Sequence, residues 1–137
     1  MIRIQMVKIT TEQFAILSDV PLQGDFQVNL QLTIKHSVEL KRIGIKSDFS
    51  VIHKNKKHIV LSVFCEFAIY PDDWESAITD GTITIPKSTI EYFVVQTIGT
   101  ARGILHTKTE GTPFNNIILP SFNVTQFIKN DYVAKLS

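Results

Sequence analysis

The stretch from Ile85 to Phe127, IPKSTIEYFVVQTIGTARGILHTKTEGTPFNNIILPSFNVTQF, decides how the rest of the chain is arranged. Its first half has a helical period. Ile90, Phe93, Val94, Ile98, Ala101 and Leu105 recur three and four residues apart, an apolar stripe that should lie on another layer. Pro86 suits the first turn of such a helix, where its missing N–H has no intrahelical partner to lose. A second face carries Tyr92, Val95, Gly99 and Gly103. Each helical glycine costs about 1 kcal/mol relative to alanine, and close approach of a second helix is the usual compensation. The chain holds no second long helix, so these four residues are candidate oligomer-interface positions. Gly111-Thr112-Pro113 then ends the helix, and Asn116 to Leu119 reads as extended and apolar. Asn123 is placed to cap a final helix with Val124, Phe127, Ile128 and Val133 on its buried side.

Upstream of this stretch the pattern changes from helical to extended. Phe26 to Ile34 alternates without a break, with Phe26, Val28, Leu30, Leu32 and Ile34 apolar and the residues between them polar. That is a strand with one buried and one wet face. Arg42 to His53 reads as a second strand. Lys54-Asn55-Lys56-Lys57 is a polar hairpin tip that places His53 near His58. His58 to Tyr70 carries Ile59, Leu61, Val63, Cys65, Phe67 and Ile69 on one face and is partly apolar on the other, which predicts a central strand. Residues 2–9 switch phase at Met6-Val7, as a bulged strand would, and Glu12 to Leu17 is a second short extended piece. A loop through Asp19, Pro21 and Gly24 follows. Short turns between consecutive strands imply an antiparallel sheet. After it, Pro71 to Ile78 predicts a short helix capped by an aspartate, Asp80-Gly81 a turn, and Thr82 to Ile85 an extended link. The expected fold is α+β: one domain over residues 1–137, with a four-stranded antiparallel sheet on which a long helix and a C-terminal helix pack.

Composition narrows the function. The chain has 137 residues, 44% hydrophobic and 20% charged, enough for one core, and its net charge of +1 argues against a dedicated nucleic-acid binder. A single cysteine, Cys65, excludes an intrachain disulfide and reads as a buried thiol. No apolar run approaches a signal peptide or a membrane helix, so the cytoplasm is the expected setting and no membrane partner is expected.

Nothing in the pattern is catalytic. The histidines at 36, 53, 58 and 106 lack metal-ligand spacing, and His53 with His58 would offer a metal only two ligands on a lysine-rich tip. Asp72 and Asp73 are better explained by a helix cap than by acid–base work. Gly99 and Gly103 lie inside a helix and form no phosphate loop. No cofactor and no metal are expected. What remains is surplus apolar surface on the long helix, on strand 58–70 and along Ile117 to Phe122, which implies partners.

Three segments carry a resemblance to a known family: Thr100-Ala101-Arg102-Gly103, Thr109-Glu110-Gly111-Thr112-Pro113-Phe114, and Leu119-Pro120-Ser121-Phe122-Asn123-Val124 with Phe127. In order and spacing they resemble the C-terminal half of the protein-export chaperone SecB, and more closely the divergent SecB-like proteins. The resemblance implies a non-enzymatic chaperone, a homotetramer with long helices at the interface. It implies apolar grooves that hold unfolded polypeptides, either preproteins or, as in relatives of toxin–antitoxin systems, an antitoxin-type client. Carried over by motif, the groove candidates are Leu119, Phe122 and Phe127, with Phe26 and Leu22 in the loop entering the second strand. Near-neutral charge, and His58 and Val60 where an acidic sheet residue is sought, weaken the case for docking the translocation ATPase SecA. An oligomeric adaptor that binds one folded partner is the alternative reading.

Overall fold

The hairpin read between residues 42 and 70 forms the middle of the sheet. In the computed structural model, which describes residues 2–20, 22 and 24–136, strands β3 (Arg42–His53) and β4 (Lys56–Ile69) pair antiparallel. On one face Ile43, Ile45, Phe49 and Val51 meet Ile59, Leu61, Val63, Cys65, Phe67 and Ile69, all buried. Ser47 is the polar member of this row, and its hydroxyl donates to the Val63 carbonyl at 3.1 Å. β1 (Ile4–Ile16) flanks β4, and β2 (Gln27–Ser37) flanks β3, giving the order β1-β4-β3-β2. The two extended pieces expected at the N-terminus are one strand. Its register slips between Met6 and Lys8 and again between Thr11 and Gln13, and these two bulges produce the phase switches in the sequence.

Because β1 and β2 are opposite edges, the connection 17–26 must cross the end of the sheet. It is tied there by two hydrogen bonds. The Leu17 amide donates to the His58 carbonyl at 2.7 Å, and His53 Nδ1 lies 2.7 Å from the Asp25 carbonyl, which can only accept. The β3–β4 turn is tighter than the sequence suggested. Only Lys54 and Asn55 leave the ladder, at φ 51° and 64°, as a two-residue turn matched to strand twist requires, and Lys56 and Lys57 already belong to β4. His53 and His58 do come together, with ring centroids 5.7 Å apart.

Helix α2 (Lys87–Lys108) lies on the buried face through Ile90, Phe93, Val94, Thr97, Ile98, Ala101 and Leu105. All six residues of the expected stripe are in that set. Burying each large side chain contributes about 1.5–3 kcal/mol. Phe93 stacks on Phe67 with centroids 4.4 Å apart. Pro86 stands just before the first turn, its carbonyl accepting from the Thr89 and Ile90 amides.

Three expectations fail for physical reasons. Asp72 and Asp73 do not cap α1 (Pro71–Ser76): Tyr70 holds the cap position, Pro71 starts the helix, and Asp73 instead accepts from the Arg3 amide at 2.8 Å and Nε at 3.0 Å. Thr82 to Ile85 is more than a link. As β6 (Thr82–Ile85) it is the middle of a second sheet between β5 (Ile78–Thr79) and β7 (Tyr132–Lys135), with Ile83 and Ile85 buried. The C-terminal helix does not form. Asn123 caps as expected, its Oδ1 accepting from the Thr125 amide at 3.2 Å, but only a single 3-10 turn, Val124–Gln126, follows. Asn130-Asp131 interrupts the chain, Tyr132-Val133 favour extended backbone, and β6 offers a free edge, to which Val133 pairs opposite Thr84. Val133 is consequently exposed, not buried. The fold is thus α+β with a four-stranded antiparallel sheet and one long helix, closed by a strand.

Candidate functional site

The segment after α2 has little regular structure of its own, and Arg102 holds it in place. From the flank of α2 its guanidinium donates to the Leu119 carbonyl at 2.8 Å and the Pro120 carbonyl at 3.0 Å. Earlier in the segment Thr112, Asn115 and Thr109 bond to one another and to the end of α2, fixing the Gly111-Thr112-Pro113 break. These contacts press Phe114, Ile117 and Leu119 into the core and leave Ile118 outward.

Past Pro120 the chain crosses towards the β2 edge and presents two aromatic rings. Phe122 packs on Phe49 and on Phe127, each with centroids 6.1 Å apart. Phe127 remains 38% exposed. Val28 and Leu30, half-buried on β2, continue the apolar wall, and these residues line a concavity of about 720 Å³. Because β2 is an edge strand, residues of the sheet's outer face line it too, among them Gln31, Asp48, Ile52, Lys57 and Val60. The lining therefore combines an aromatic wall, aliphatic floor and amide side chains.

The structure divides the groove candidates. Phe122 and Phe127 come together at its wall. Leu119 is buried beneath it and serves as an anchor, not a contact surface. Phe26, 39% exposed, and Leu22, half-buried against the core, belong to the crossing connection and stand outside the lining. Phe49, Val28 and Leu30 are lining residues that the sequence did not single out. The alternation of β2 marked Val28 and Leu30 as inward-facing, but only the edge position of β2 leaves them accessible.

The second candidate surface lies on the far side of α2. Tyr92 and Val95 are 51% and 53% exposed, and a Cβ built on Gly99 or Gly103 would meet nothing within 4 Å. Between α2 and β1 the surface is concave: Ile2, Ile4, Ser88, Thr89 and Tyr92 line about 470 Å³, and Thr11, Thr100, Gly103 and Ile104 are among those lining about 460 Å³. Val7 and Ile9 on β1 are exposed nearby in sequence. The four residues expected at an interface thus form one open stripe.

Burial pushes the Cys65 thiol up, which makes it a poor nucleophile. Burial likewise raises the Tyr132 phenol, whose oxygen lies 2.6 Å from His36 Nδ1 and ties β7 to β2. No group of three or more His, Cys, Asp or Glu side chains is arranged to hold a metal ion, and no helix is long and apolar enough to cross a membrane, both among the described residues. Neither a protein-family model nor a curated protein sequence matches the chain.

Proposed function

We propose that the chain is a SecB-like molecular chaperone of the cytoplasm that holds unfolded polypeptides in the Phe122/Phe127 groove. The observation that carries this reading is the groove wall. Two aromatic rings and two half-buried strand residues form an accessible apolar wall. Apolar area removed from water there contributes roughly 25 cal/mol per Å², less the ordering of the bound segment. Holding is passive and needs no cofactor. The clients are non-native chains, preproteins or an antitoxin-type partner. The protein works as a homotetramer joined through the Tyr92, Val95, Gly99 and Gly103 stripe. Docking to SecA is not part of the proposal, because Glu66 on the outer sheet face is paired with Arg42 at 3.4 Å.

The wall in this chain is an irregular segment latched by Arg102, not a helix. Client contact therefore depends on Phe122 and Phe127 individually. The test is suppression of light scattering by an aggregating unfolded protein, with the wild type at several-fold excess. Phe122→Ala with Phe127→Ala should abolish suppression while far-UV circular dichroism is retained. A wild type that neither suppresses aggregation nor binds an unfolded chain overturns the proposal. Recovery of a single folded partner in fixed ratio would favour the adaptor instead.

A further inference from the structure

We infer that α2 and the segment it latches form a second site, which takes a carboxylate carried on one small apolar group. The site goes beyond the chaperone reading and does not depend on it. Val95, Ile98, Arg102, Ser121, Phe122 and Val124 line a cavity of about 190 Å³ between the helix and that segment. Four of these residues are apolar, one is a hydroxyl, and Arg102 is the only charge among them. Asp48 and Lys57, which line the larger groove, take no part here. Arg102 is half-buried and pairs with no carboxylate among the described residues, whereas Arg3 and Arg42 each have one. The only acid on α2 is Glu91, about three turns earlier.

The guanidinium is only half used. It carries five N–H donors in a rigid plane. The latch occupies one edge, with Nε donating to the Leu119 carbonyl at 2.8 Å and Nη2 to the Pro120 carbonyl at 3.0 Å. The end formed by Nη1 and the second Nη2 hydrogen makes no hydrogen bond among the described residues. Those two N–H groups are parallel and spaced for the two oxygens of a carboxylate. The Ser121 hydroxyl adds a donor, and Val95, Ile98, Phe122 and Val124 supply the apolar contact. The cavity is smaller than the roughly 300 Å³ at which drug-sized sites begin, so the occupant is a small organic acid or the last residue of a peptide. A phosphate monoester fits less well, because its charge of nearly −2 would meet a single cation.

The experiment follows nitrogen–proton correlation spectra of the full chain during titration with four probes: phenylacetate, phenylacetamide, and glycyl-glycyl-phenylalanine with a free or an amidated C-terminus. The chain is used in the oligomeric state it adopts, since Val95 also belongs to the proposed subunit stripe. Each carboxylate should bind at least about tenfold tighter than its amide and should shift the Arg102 Nε–H together with the Ser121 and Phe122 amides. Tighter binding of phenylacetate assigns the site to free acids and tighter binding of the peptide to chain ends, and both sustain the inference. Ser121→Asp places a carboxylate of the chain itself beside the guanidinium and should abolish binding of both acids with an unchanged circular dichroism spectrum. Arg102→Ala should abolish it too. Because that variant also releases the latch, Ser121→Asp decides the matter if Arg102→Ala does not fold. Equal affinity for acid and amide, an Arg102 Nε–H that does not move, undiminished binding in Ser121→Asp, or no binding of either acid overturns the inference. None of these results bears on the aggregation test of the groove, so the two readings fail separately.

Discussion

The two faces of α2 obey different rules although they share one backbone. On the sheet side, seven residues are buried, and every one meets a side chain supplied by the same chain. On the opposite side, Tyr92 and Val95 project into open space and Gly99 and Gly103 face nothing. The first face is explained by the fold of one molecule. The second carries an aromatic ring and an aliphatic side chain that are half exposed, and two helix-weakening glycines on which an added Cβ would meet nothing within 4 Å. The subunit contact proposed above would account for its composition, whereas the first face would be required of any chain with this sheet.

Adjacent residues give the largest test of that contrast. Phe93 stacks on Phe67 in the core, and Tyr92 points the other way. Phe93→Ala should destabilise by about 3–5 kcal/mol in urea unfolding, the range for removing a buried aromatic ring. Tyr92→Ala should change monomer stability by less than about 0.5 kcal/mol, as exposed positions do. Its effect should appear instead in the mass of the assembly, measured by sedimentation. Equal losses of stability in dilute solution would break the contrast, because the open face would then be part of the core.

A smaller effect concerns the two flanks of the same helix. On one flank Arg102 latches the groove wall through two carbonyls, and on the other the surface between α2 and β1 stays concave and uncovered. Arg102→Ala removes both hydrogen bonds and should cost about 1–2 kcal/mol. It should also weaken peptide binding more than it lowers stability, because Phe122 lies directly beyond the carbonyls that Arg102 holds. Arg102→Lys should not restore binding, since one ammonium cannot reproduce the fork that reaches Leu119 and Pro120 together. Normal peptide affinity in Arg102→Ala would show that the wall is held by Leu119 and Ile117 packing alone.

Legibility followed the same division. Everything governed by strict period was readable: the β2 alternation, the six-residue stripe of α2, the central place of β4. Each of these patterns is imposed locally by burial against one layer. The expected last helix stops after one 3-10 turn although its capping residue is genuine. Asn123 does cap a turn, and Val124, Phe127 and Ile128 have helical spacing. What overrides them is non-local, the free edge of β6 far upstream in the chain, which captures Tyr132 to Lys135. Asp73 is likewise drawn from the cap by a distant partner, Arg3, seventy residues away. In the groove, Phe122 and Phe127 were legible as apolar residues beside a break, but the part of Phe49, Val28 and Leu30 depends on which strand is the sheet edge. Sequence order alone does not reveal that.

The smallest substitutions bear most directly on the open face. In an isolated molecule Gly99→Ala and Gly103→Ala should each stabilise α2 by about 1 kcal/mol, because a methyl group there meets nothing and glycine's extra backbone freedom is removed. If the stripe packs closely on a neighbouring helix, the same methyl groups enter an occupied space and force the two helices apart. The two cases have opposite signs, and thermal unfolding as a function of protein concentration separates them. The tetramer proposal expects a melting temperature that rises with concentration for the wild type and less steeply for the double variant, whose sedimentation mass falls. Gly99→Leu enlarges the clash and should leave folded, smaller species. A double variant more stable than wild type at every concentration, with unchanged mass, would mean that the glycines face solvent in the working protein, and the subunit contact would then have to be sought on the concave surface between α2 and β1.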